Sequence, residues 1–125
     1  MPVRSLLCSV LILCVAAGPA LAKDGDGRKS VTGNCTGSAT TKLKVKPDNG
    51  RLETEFEVDQ NRNGVKWTVT IKRNGTTVVK TSAKTSGPSG SFSIQRRLSD
   101  GAGADTISAR AKNSSGQLCT ASLRI

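Results

Sequence analysis

From Ser30 to the C-terminus, apolar and polar residues alternate at the period that lets a strand show one face to a core and the other to water. Thr41, Leu43 and Val45 alternate with Lys42, Lys44 and Lys46. Leu52, Thr54, Phe56 and Val58 alternate with Glu53, Glu55, Glu57 and Asp59. Val65, Trp67, Val69 and Ile71 then point one way, and Lys66, Thr68, Thr70 and Lys72 the other. Shorter runs follow at Thr77 and Val79, at Phe92, Ile94 and Leu98, and at Ile107, Ala109 and Ala111. Leu118, Cys119, Ala121, Leu123 and Ile125 close the series, and a first short strand sets Val31, Gly33 and Cys35 along one side. Turn formers separate the runs: Pro47-Asp48-Asn49-Gly50, the loop Ser86 to Gly90, and Asn113 to Gly116. Asn74-Gly75 is the strongest hairpin signal, because both residues tolerate positive φ. No segment has helical periodicity. Seven to eight short strands at this spacing predict an all-β, two-sheet antiparallel sandwich over residues 30–125.

Charge tests one register. A four-residue turn at 47–50 sets Lys46 opposite Arg51, Lys44 opposite Glu53 and Lys42 opposite Glu55. Two opposite-charge pairs on an exposed face would each contribute about 0.2–1 kcal/mol. A slip by one residue would turn the charges inward, so the pattern specifies the register strongly.

Residues 1–22 have the build of a signal peptide: Arg4, an apolar run from Leu6 to Ala17, Pro19, and the small-residue site Ala20-Leu21-Ala22. The apolar run is too short for a transmembrane helix, and no later stretch is long enough. The expected product is secreted and extracellular. Removing 22 of the 125 residues leaves 103, and Arg4 leaves with them, so a net charge of +10 becomes +9. Lys23 to Lys29 is charged and Gly-rich with no apolar residue, which predicts a disordered leader. Asp24 and Asp26 resemble the start of a calcium loop, but no acid follows at the spacing of the bidentate ligand. Of four cysteines, Cys8 and Cys14 belong to the signal segment; Cys35 and Cys119 remain, an even pair in an exported chain and so an expected disulfide.

Phe56, Trp67 and the run Ile107 to Gly116 carry a resemblance. Immunoglobulin domains place a core Trp on the third strand about a dozen residues after a core cysteine; Trp67 lies eleven residues after Phe56. Many read Tyr-x-Cys-x-Ala-x-Asn-x-x-Gly on the penultimate strand, where this chain has Ile107, Ala109, Ala111, Asn113 and Gly116. The chain therefore resembles an immunoglobulin-like domain in which Phe56 and Ala109 occupy the core cysteine sites and Ile107 replaces the corner Tyr. It also resembles, more loosely, small secreted bacterial proteins of this build without an assigned activity. The resemblance implies a fold and no function. It also implies that a Cys35–Cys119 bond links the first strand to the last.

Chemistry adds little. With no His there is no Ser-His, Cys-His or ordinary zinc arrangement. The acids Glu53, Glu55, Glu57 and Asp59 read as a solvated strand face rather than a carboxylate pair. No enzyme, metal site or cofactor is expected. The positive charge is more informative once placed on faces. One sheet would expose Lys42, Lys44, Glu53, Glu55, Glu57, Ser91, Ser93 and Arg97, whose charges largely cancel. The other would expose Lys66, Lys72, Lys80, Arg110, Lys112 and Arg124 among Thr and Ser residues, with no acid. Such a face suits an anionic polysaccharide, wall polymer or acidic protein, with strong salt dependence. It offers no aromatic side chain for base stacking, so sequence-specific nucleic-acid binding is not expected. The alternative is a protein-interaction or inhibitor domain using the loops Ser82–Gly90 and Ser99–Ala104 at one end of the sandwich. Lysines on edge strands favour a monomer. Asn34, Asn74 and Asn113 begin Asn-x-Ser/Thr triplets, glycan acceptors only in a eukaryotic secretory route.

Overall fold

The computed structural model describes residues 27–125 and the backbone of Ala22–Lys23. The signal segment through Leu21, and the pair Asp24 and Asp26, lie outside the described residues. Among the described residues ten strands run in chain order: β1 (Ala22–Lys23), β2 (Lys29–Thr32), β3 (Asn34–Cys35), β4 (Thr40–Asp48), β5 (Arg51–Asp59), β6 (Lys66–Arg73), β7 (Thr76–Lys84), β8 (Ser91–Ser99), β9 (Thr106–Asn113) and β10 (Leu118–Arg124). They form two antiparallel sheets, ordered β1-β2-β4-β5-β8 and β3-β10-β9-β6-β7. The result is an all-β sandwich, compatible with an immunoglobulin-like build. Lys29, assigned by its composition to the leader, is the first residue of β2.

The period-2 pattern is what packs the sheets together. Leu43, Val45, Leu52, Phe56 and Val58 of the first sheet are fully buried, as are Trp67, Val69, Ile71 and Ile107 of the second. Each such side chain contributes about 1.5–3 kcal/mol by leaving water. The Trp67 and Phe92 rings meet at 6.3 Å with a 52° tilt, joining the layers. Ala109, the small residue expected against Phe56 across the core, is buried too.

The first hairpin corrects the expected register. β4 continues through Pro47 and Asp48, and only Asn49 and Gly50 form the turn, at φ 49° and 74°. Two central residues at positive φ match the twist of the flanking strands, so the tight turn prevails over a four-residue one. β2 pairs with β4 only as far as Val45, so the missing N–H of Pro47 breaks no ladder bond on that side. Lys42, Lys44 and Lys46 therefore stand opposite Glu57, Glu55 and Glu53, and Asp48 opposite Arg51. A shift of two residues preserves every face and gives four opposite-charge pairs instead of two. Asn74 and Gly75, at φ 50° and 82°, make the second tight hairpin as expected.

The expected single first strand is two half-strands. Val31 pairs with Leu43 in one sheet and Cys35 with Cys119 in the other, so the chain changes sheets at Gly33. A Cβ on Gly33 would lie 2.2 Å from the Thr120 carbonyl oxygen and 2.7 Å from Thr41 Cγ2, so only glycine passes between the layers. β7 carries a second irregularity. Ile71 pairs with Val79 but Lys72 with Thr77, so Val78 is an extra, bulged residue. The bulge turns Thr77 outward although it lies two residues from the buried Val79.

Cys35 and Cys119 are bonded, with an S–S distance of 2.07 Å and a sequence separation of 84. They are directly opposite in the β3–β10 ladder, at a Cα separation of 4.0 Å. The bond fastens a two-residue strand to the last strand of the sandwich.

Candidate functional site

The outer face of each sheet can be built row by row from its register. On the first sheet, Lys42, Lys44 and Lys46 of β4 alternate with Glu57, Glu55 and Glu53 of β5, and Arg97 of β8 lies beyond Glu53. Arg97 also pairs with Asp48 at 3.4 Å. Charges of both signs are interleaved, so this face carries little net field.

The second sheet differs. Lys66, Thr68, Thr70 and Lys72 of β6 point outward, flanked on one side by Ser108, Arg110 and Lys112 of β9. On the other side stand Lys80, Ser82 and Lys84 of β7. β10 adds Thr120, Ser122 and Arg124. The structure thus places all six residues expected on this face, Lys66, Lys72, Lys80, Arg110, Lys112 and Arg124, on the outer side of one sheet. Sequence reading missed Lys84, which lies directly opposite Lys66. Its alternation with Lys80 and Ser82 was the available signal. None of the acids among the described residues falls on this face: five lie on β4 and β5, and Asp100 and Asp105 in the loop after β8.

The centre of the face is a broad open trough of about 1110 Å³. Thr68, Thr70, Ser108 and Thr120 floor it, and Lys66, Lys72, Arg110 and Lys112 line it. Its far wall is the passage from Val31 to Asn34, which no periodicity within the face could have revealed. Lys80 and Arg124 stand outside the trough, at the margins of the sheet. Among the described residues, no side-chain hydrogen bond or ion pair occupies Lys66, Lys72, Lys80, Lys84, Arg110 or Lys112. Their charges are exposed and uncompensated, and the Lys66–Lys84 juxtaposition is repulsive.

The ends of the sandwich are ordered by polar contacts of their own. At one end Trp67 Nε1 donates to Gln60 Oε1 at 3.0 Å, and Gln60 Nε2 donates to Gln117 Oε1 at 2.9 Å. Asn113 Nδ2 donates to the same oxygen at 2.7 Å, so the Asn113 amide is a buried structural group. At the other end Asp105, 2 % exposed, accepts from Asn74 Nδ2 at 2.8 Å. The Asn74 hydrogen bond holds the Asp105 carboxyl below its ordinary value of 3.8. Partial desolvation and then the adjacent Asp105 raise Asp100. Of the three Asn-x-Ser/Thr asparagines, Asn34 alone has no side-chain hydrogen bond among the described residues, and it stands exposed on the trough wall.

The loop surface proposed as the alternative site is corrected by the same register. Ser91 pairs with Asp59 and Ser99 with Arg51, so the segments 85–90 and 100–104 lie at opposite ends of β8. Gln60 N donates to the Gly90 carbonyl at one end, and Asp100 N to the Gly50 carbonyl at the other. Ser82 to Lys84 belong to β7. The two loops cannot form one contact surface, because a nine-residue strand spans about 30 Å.

Among the described residues no helix is long and apolar enough to cross a membrane. No family model, curated protein or solved structure matches this chain.

Proposed function

We propose that this chain is an exported, immunoglobulin-like binding module that holds an anionic surface polymer on the Lys/Arg face of its second sheet. The carrying observation is segregation: the described acids of the sandwich sit on the opposite sheet or in an end loop, while the β10-β9-β6-β7 face exposes a cluster of cations and hydroxyls and no acid. Keeping like charges together costs stability, and nothing in the fold requires it, since β4 and β5 interleave theirs. A bound polyanion removes that cost. Anionic polysaccharide or wall polymer fits the hydroxyl-rich, aromatic-free floor better than a base-stacking ligand does; an acidic protein is the other partner of matching charge.

The test is binding to heparin and to isolated anionic wall polymer at low salt. Changing Lys66, Lys72, Arg110 and Lys112 together to Glu should abolish binding, while Lys42→Glu with Lys44→Glu on the first sheet should change it by less than about three-fold. Binding should also weaken steeply as salt shortens the screening length from about 30 Å at 0.01 M to about 10 Å at 0.1 M. Equal binding by the four-site variant and the wild type would end this reading.

A further inference from the structure

We infer that the basic face contains a discrete seat for a tetrahedral oxyanion, centred on Thr68 and Thr70, so that the polymer it takes is one bearing sulfate or phosphate esters rather than carboxylates alone. The inference rests on the polymer-binding reading above and narrows it to a position and a chemistry.

The register places the cations around these two hydroxyls. Thr70 has Arg110 directly across on β9 and Lys80 directly across on β7. Thr68 has Lys112 across on β9 and Ser82 across on β7. Along β6 itself, Lys66 precedes the pair and Lys72 follows it, each at the next outward position. Two threonines are therefore enclosed by five cations and one further hydroxyl. Strand neighbours stand about 4.8 Å apart and successive outward residues about 6.8 Å apart. Lys66 and Lys72 stand about 20 Å apart on that spacing, so Lys80, Arg110 and Lys112 can converge on one group above the threonines and one of the two β6 lysines can join them from its end. No other part of the face repeats the pattern: Ser108 and Ser122 pair with each other at 3.4 Å between their Oγ atoms, and Thr106 has Arg124 across from it on one side only.

Charge alone would accept any anion, and the hydroxyls are what discriminate. A carboxylate offers two oxygens in one plane, and two cations satisfy it. A sulfate or phosphate ester group offers its oxygens in several directions. It can accept from the threonine hydroxyls below while lysines and Arg110 reach it from the sides. Hydrogen bonds to charged groups of this kind are among the stronger ones. Among the described residues no acid lies near Thr68 and Thr70, so those donors have no internal competitor there.

The experiment compares three probes: heparin for sulfate esters, polyphosphate for phosphate, and polygalacturonate for carboxylates. Thr68→Val with Thr70→Val removes both hydroxyls without touching a charge, and valine suits a strand at least as well as threonine. The expected result is a loss of about ten-fold or more in affinity for heparin, polyphosphate or both, with polygalacturonate binding changed less than about two-fold. Loss for heparin only assigns the sulfate source; loss for polyphosphate only assigns phosphate. Thr68→Ser with Thr70→Ser keeps the hydroxyls and should restore wild-type affinity, which separates a lost donor from a disturbed strand. No loss for any probe, or an equal loss for all three, overturns the oxyanion seat. The four-site Glu variant keeps the two readings apart. If it loses heparin while the valine pair does not, the seat falls and the basic face stands. If it binds heparin normally, both fall.

Discussion

Replacing both Cys35 and Cys119 with alanine should destabilise the sandwich more than any surface substitution, and the size of the loss can be worked out in advance. The bond closes a loop with a sequence separation of 84. In the chain-entropy treatment a loop of that length constrains the unfolded chain by about 4.6 kcal/mol at 25 °C. The native state gives β3 little else to hold it. Its ladder with β10 is two residues long, supplemented by Thr36 N to the Leu118 carbonyl at 2.8 Å and Leu118 N to Thr36 Oγ1 at 2.9 Å. A domain of this size shifts its midpoint by about 4–8 °C per kcal/mol, so the expected fall is roughly 20–35 °C. Guanidinium unfolding followed by the emission of Trp67, the only Trp and fully buried, reads the same quantity directly. A loss below about 1 kcal/mol would refute the reasoning. It would mean that β3 leaves β10 freely once the bond is gone, and that the rest of the sandwich never depended on the staple.

Gly33→Ala should cost at least about 1–3 kcal/mol, because its methyl would stand 2.2 Å from the Thr120 carbonyl oxygen and the layers would have to part; an unchanged melting temperature would contradict the crossing geometry. Acid unfolding should carry the signature of Asp105. Its carboxyl is held below 3.8 chiefly by Asn74, so its contribution is full above that pH and is lost as pH falls through the lower folded value. Asp100 is shifted upward, so its contribution has the opposite sign: present below 3.8 and lost as pH rises through its folded value. Asp105→Asn should therefore lower stability at pH 6 and flatten the decline below pH 4; a parallel curve displaced at every pH would assign the effect to packing alone.

Much of this architecture follows from local alternation. Every strand of seven residues or more contains a run read from its own side chains, although β4 extends into the expected turn and β7 into the expected loop. Trp67, Phe56 and Ile107 are in the core because period 2 leaves them no other face. The basic face was legible for the same reason: Lys66 and Lys72 had to lie opposite Trp67 and Ile71. The Asn49-Gly50 turn shows the limit. Its dipeptide was visible, but choosing two turn residues over four depends on the twist of both strands, which no single strand contains.

What the sequence determined by itself is the set of faces, Thr77 at the β7 bulge excepted: which residues go inside, which charges go outside, and that two cysteines remain to be bonded. These are properties of a residue and its neighbours two positions away. The tertiary structure alone decided what the faces meet. It splits the first strand at Gly33 and carries Val31 to Asn34 alongside the basic sheet as the wall of a trough. It sends the loops at 85–90 and 100–104 to opposite ends, and it sets Lys80 and Arg110 on either side of Thr70. Those relations join residues tens of positions apart. They are fixed by sheet order and by the space between the layers, and neither is encoded in any one run of alternating residues.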